Sequence, residues 1–140
     1  MSHLGHDSSA LRILSYRDLL VWQRSMDLCE AVYRVSRRLP RSELFGLADQ
    51  MRRASVSIAS NIAEGHARSH TGEYLHQLTT ARGSIAELET QLIICVRVDY
   101  FPEREVTRLL RATDEVGRML SGLRSRLRAR DDSPERRRRR

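Results

Sequence analysis

Residues 51–65 read Met-Arg-Arg-Ala-Ser-Val-Ser-Ile-Ala-Ser-Asn-Ile-Ala-Glu-Gly, a stretch helical in its period and crowded with small side chains. Ala54, Ser57, Ile58 and Ile62 recur at three- and four-residue steps and share one helical face. A face so poor in bulk lets a second helix come close. The stretch holds no clustered carboxylates, no phosphate-binding glycine loop and no nucleophile with a base at a useful spacing. It therefore points to a helical packing and assembly module rather than to an enzyme.

The rest of the chain extends that pattern. Only three prolines and seven glycines interrupt 140 residues, and aromatic residues make up 5%. Such a chain is expected to form one domain of long helices with an aliphatic core. A first helix is predicted from about Asp18 to Leu39, on the stripe Leu19, Trp22, Met26, Cys29 and Tyr33, ending before Pro40. Ser42 is the expected N-cap of a second helix, with Glu43 beside its positive end. That helix carries Leu44, Leu47, Met51, Ala54, Ile58 and Ile62, and Gly65 is its expected left-handed C′ residue. A third helix begins near Thr71 on Leu78, Ala81, Ile85, Leu88, Leu92 and Cys95. Its interior Gly83 costs about 1 kcal/mol relative to Ala, which close packing on the second helix would explain. After a turn at Asp99–Pro102, a fourth helix runs on Val106, Leu109, Thr113, Val116, Leu120, Leu123 and Leu127. Four such helices with short connections form an all-α, antiparallel up-down-up-down four-helix bundle. The expected organisation is a disordered leader over 1–15, the bundle over 16–130 and a disordered arginine-rich tail over 131–140.

The charge is unevenly placed. The net charge is +7 and every one of the 25 basic residues is arginine. Residues 124–140 hold nine arginines against Asp131, Asp132 and Glu135, so six of the seven net charges lie there. Arg124, Arg126, Arg128, Arg130 and Arg136, Arg137, Arg138, Arg139 and Arg140 are accordingly the candidate nucleic-acid-binding residues. Guanidinium pairs phosphate bidentately, and each phosphate contact releases counterions, so such binding is salt-sensitive and largely blind to sequence. A purely solvated tail is the competing reading. Cys29 and Cys95 lie among apolar residues and read as two buried free thiols. No basic, apolar leader marks secretion, and no run of residues is long enough to span a bilayer. A soluble cytoplasmic protein is expected.

Other candidates carry bland alternatives. Arg52, Arg53, Asn61, Glu64 and Arg68 form a candidate assembly or partner patch, but ion pairing within a helix or between subunits is the preferred account of the charges. Asn61 reads as a structural amide. His66, His70 and His76 are the nearest approach to a metal site, but the spacing breaks at a connection and lacks a firm fourth ligand. No metal or other cofactor is expected. Trp22 reads as core or subunit interface rather than as a base-stacking platform.

The chain resembles the four-helix-bundle family of 23S rRNA intervening-sequence proteins. The resemblance is carried by Leu20-Val21-Trp22-Gln23, Tyr33 and Pro40, by Glu43-Leu44-Phe45-Gly46-Leu47, and by Gln50-Met51-Arg52-Arg53-Ala54. It continues through Ser57-Ile58, Asn61 to Gly65 and Arg68, then Ala81-Arg82-Gly83-Ser84, Glu87-Leu88 and Gln91-Leu92. It covers roughly residues 16–125. It implies a homo-oligomer, a pentameric ring, without enzymatic activity. It is also similar to accessory proteins of diversity-generating retroelements, which work with a reverse transcriptase and RNA. The expected function is therefore a non-enzymatic RNA- or DNA-binding scaffold, the alternative a module for one polypeptide partner such as a reverse transcriptase.

Overall fold

A computed structural model of the chain describes residues 13–132 and 134–139. Four long helices follow in order: α1 (Leu20–Ser36), α2 (Leu47–Ala67), α3 (Thr71–Arg97) and α4 (Glu103–Asp131), then a short α5 (Pro134–Arg138). Single 3-10 turns at Tyr16–Asp18 and Arg41–Glu43 precede α1 and α2. Among the described residues there is no strand. Packing of α1 on α2, α2 on α3, α3 on α4 and α4 back on α1 closes the bundle, and α2 with α3 forms its largest interface. The predicted up-down-up-down bundle is the observed fold.

Its core follows the three-four spacing where that spacing was unambiguous. Met51, Ile58 and Ile62 of α2, Leu78, Leu88 and Leu92 of α3, and Val106, Val116 and Leu120 of α4 are fully buried. Each such side chain contributes about 1.5–3 kcal/mol over exposure to water. The close approach of α2 and α3 is marked by Ser57, whose hydroxyl lies 2.8 Å from that of Ser84, with the Asn61 amide donating to Ser57 Oγ at 3.0 Å.

Several local expectations are corrected. On α1 the buried side chains are Val21, Ser25, Leu28, Val32 and Ser36, the first four one position off the expected stripe. Trp22 and Cys29 are only half-buried, and Met26 and Tyr33 are exposed. The helix carries two adjacent apolar stripes, and the bundle interior takes one of them. Cys95 is buried as expected; desolvation, with Glu43 nearby, pushes its thiol up to about 11.

Ser42 does not cap α2. It lies in the 3-10 turn, and the Glu43 carboxylate accepts from the Leu47 amide at 3.2 Å instead, because the capping position is Gly46 and has no side chain. Gly65 does not end α2, which runs to Ala67. It is buried against α3, where an added Cβ would stand 2.8 Å from Tyr74 Cδ1 and 3.0 Å from Gln77 Cβ. Gly83 is exposed with nothing within 4 Å of a Cβ, so helix packing does not account for it. Residues 1–12 of the expected leader lie outside the described residues. Within the expected tail, α4 extends to Asp131 and Pro134 opens α5, a suitable first helical residue because its missing N–H would be unbonded there.

Candidate nucleic-acid interface

Antiparallel connectivity gathers the start of α1, the α2–α3 turn and the end of α4 at one end of the bundle. The α1–α2 and α3–α4 connections lie at the other. This decides what each arginine meets.

At the end holding the α1–α2 and α3–α4 connections one arginine, Arg38, is paired, while among the described residues Arg37, Arg41, Arg97 and Arg104 take part in no ion pair. Arg38 forms an ion pair with Glu105, and its guanidinium stands 5.2 Å from the centre of the Phe101 ring. Tyr100 donates to Glu43 at 2.6 Å, joining the two connections. That bond and the Leu47 amide hold the Glu43 carboxyl below the usual carboxylate range, and the same bond pushes the Tyr100 phenol up.

The opposite end collects Arg68, Arg124, Arg126, Arg128 and Arg130, with Arg137, Arg138 and Arg139 on α5 or just after it. Among the described residues none of these takes part in an ion pair; the pairs that form involve Arg24, Arg34, Arg38, Arg53 and Arg118. Asp18 is occupied by the amides of Leu14 and Ser15. A cleft of ≈ 470 Å³ between α5 and the α2–α3 turn is lined by Ser69, His70, Asp131, Glu135 and Arg139, so Arg139 comes back onto the bundle. Arg136 belongs to α5, and Arg140 lies outside the described residues.

The structure does not gather the other candidate patch. Arg52 reaches across to α1, donating to Ser36 Oγ at 2.8 Å and lying 5.5 Å from the centre of the Tyr33 ring. Arg53 pairs with Asp49 one turn earlier at 2.9 Å. Asn61 serves the Ser57–Ser84 contact. Glu64 and Arg68 are exposed farther along α2, where twelve residues from Arg52 to Glu64 span about 18 Å. His66 packs edge-on to Tyr74 at 6.0 Å, while His70 and His76 are exposed. Among the described residues no group of three or more His, Cys, Asp or Glu converges.

Sequence reasoning missed two features. One is Arg82, which α3 brings to Arg124. The other is the apolar surface of α1 and α2: Met26, Tyr33 and Val56 are 42%, 37% and 41% exposed, beside Trp22 and Cys29. The second apolar stripe of α1 was the available signal. The tip of the α1–α2 connection adds Phe45, 90% exposed. No helix is long and apolar enough to cross a membrane.

The sequence matches the family described as 23S rRNA-intervening sequence protein over residues 17–122. A protein of unknown function from the S23 ribosomal protein family of Bacteroides thetaiotaomicron has a similar crystal structure, with a TM-score of 0.71 at 19% identity. The similarity covers 75% of this chain and 98% of that one, and at that identity it speaks for the fold alone. No match was found among curated proteins.

Proposed function

The chain belongs to the 23S rRNA-intervening sequence protein family, and from that premise we propose that it is a non-enzymatic, homo-oligomeric cytoplasmic scaffold that binds RNA. The observation that carries this reading is the bundle end where Arg68, Arg124, Arg126, Arg128 and Arg130 stand without ion-pair partners among the described residues. Unpaired arginines on a helical platform offer their guanidinium groups to a polyanion.

The assembly half of the reading rests on the α1–α2 surface. Trp22, Met26, Cys29 and Tyr33 form a stripe along α1 that meets α2 at Ser55 and Arg52, and Val56 of α2 is also exposed. Contiguous exposed apolar surface marks an interaction site. Self-association would bury this stripe and leave the basic end free; the pentameric ring expected from the resemblance would bring five basic ends together and raise their effective concentration along one RNA. A second reading, one stoichiometric polypeptide partner such as a reverse transcriptase, is favoured by Phe45, whose exposed ring offers an anchor for a partner pocket.

Light scattering after size-exclusion chromatography, with and without mixed RNA at low and high salt, tests the proposal. A pentamer-sized particle that shifts with RNA only at low salt is expected. An oligomer indifferent to RNA that captures one protein after nuclease treatment transfers the assignment to the second reading. A monomer overturns the assembly.

A further inference from the structure

The Nε of Arg124 is buried and has no hydrogen-bond partner. A guanidinium carries five donors and no acceptor, so this N–H is open to an oxygen acceptor from a ligand. The surrounding charges sharpen the point. Arg128 lies one turn along α4, and Arg82 approaches from α3; burial and these two neighbours pull Arg124 below the ordinary arginine value. Among the described residues none of the three takes part in an ion pair. Two acids line the groove that begins at Arg82: Asp114, paired with Arg118 at 2.8 Å, and Glu89, which accepts from Thr113 at 3.3 Å.

Arg82 lines a groove of ≈ 390 Å³ between α3 and α4 together with Glu89, Asp114, Gly117, Arg118 and Ser121, and Arg124 follows Ser121 three residues along α4, beyond the groove's lining. Gly117 has nothing within 4 Å of a Cβ, which keeps the groove open at that point. The groove contains no aromatic lining residue on which a base could stack, so it suits a backbone rather than base edges. Arg124 and Arg128 stand about 6 Å apart along the helix axis, one turn that lets two guanidinium groups address neighbouring phosphates of one strand. From there α4 leads to Arg130 and the arginines of α5.

We propose that Arg82, Arg124 and Arg128 form a phosphate cleft at the α3–α4 groove that grips the sugar–phosphate backbone of RNA. The proposal rests on the RNA-scaffold reading and adds to it a site on the folded bundle, distinct from the tail. Because the cyclic packing of α1 on α2, α2 on α3, α3 on α4 and α4 on α1 sets the α3–α4 face opposite the α1–α2 face, the cleft stays open when the α1–α2 surface is covered.

The test is fluorescence anisotropy of a labelled, mixed-sequence single-stranded RNA over a salt series. It compares the full chain with the Arg82→Ala/Arg128→Ala variant, an Arg97→Ala/Arg104→Ala control at the other end, and a chain ending at Asp132. Arg82 and Arg128 are exposed, so their removal leaves the fold intact, which circular dichroism checks. Each single-strand phosphate contact contributes about 0.7 to the slope of log affinity against log salt. Loss of two contacts should flatten that slope by about 1.4 and, following from it, weaken binding roughly tenfold at low salt. The control should bind as the full chain does. Arg82→Lys/Arg128→Lys, which keeps the charge, should retain most of the slope. If the alanine variant binds like the full chain while removal of the tail abolishes binding, the cleft is overturned and the RNA reading stands. If the full chain binds no RNA at any salt, the scaffold reading falls and the cleft with it. Equal displacement of the RNA by polyglutamate at matched charge overturns the assignment in favour of an acidic polypeptide.

Discussion

The two ends of the bundle solve the same problem in opposite ways. At the end of the α1–α2 and α3–α4 connections, polar bonds do the fastening: Arg38 to Glu105, Tyr100 to Glu43, and Glu43 to the Leu47 amide. At the other end Asp18 holds the start of α1 through the Leu14 and Ser15 amides, and the α2–α3 turn is fastened carbon on carbon. Gly65 lets α2 settle onto Tyr74 and Gln77, and His66 packs against the Tyr74 ring. That leaves Arg124, Arg126, Arg128 and Arg130 of α4 without an ion pair among the described residues. A charge needed to hold a turn is unavailable to a ligand, whereas an end held by close packing can present its charges outward.

The largest expected effect is at Gly65. Gly65→Val forces side-chain atoms into Tyr74 and should destabilise the bundle by about 1–3 kcal/mol, as overpacking in a filled core does; urea unfolding measures it. An unchanged midpoint would break the claim that close packing holds the basic end.

Glu43→Gln should lower the urea midpoint at neutral pH by less than Gly65→Val does. Because the folded Glu43 carboxyl lies below its ordinary value of 4.5, its contribution is present above that value and is lost as pH falls through the folded value. The variant and the parent should therefore converge in acid. A gap that persists at low pH would mean that Glu43 acts through shape and not charge.

Arg124→Met removes an unpartnered buried nitrogen and relieves repulsion with Arg82 and Arg128. It should raise the melting temperature slightly at low salt, and less so at high salt, where exposed charges are screened. A fall would show that Arg124 has a structural role after all. The smallest effect is expected from Arg38→Ala, about 0–1 kcal/mol, the range of exposed pairs; a larger loss would make the paired end depend on that contact.

The fold was legible because spacing is a geometric property of the chain. On α3 every residue of the predicted stripe, from Leu78 to Cys95, is buried. On α1 the same reasoning chose the wrong one of two adjacent apolar stripes, since periodicity says that a face is apolar without saying what covers it. Gly65 shows a similar limit: glycine suits a helix end and a close helix contact equally, and only Tyr74, supplied by α3, decides between them. The arginines of α4 were legible as a run of charge. Arg82 was not, because it lies 42 residues before Arg124 in the sequence and joins it only through the packing of α3 on α4.

What the sequence determined alone is the four long helices, most of their inward faces and the excess of charge near one terminus, all set by local spacing and composition. What the tertiary structure decided is which apolar stripe stays outside, why Gly65 is a glycine and which arginines lack a partner. Those depend on surfaces brought together from distant parts of the chain, and burial and pairing are properties of such neighbours, not of the residues themselves.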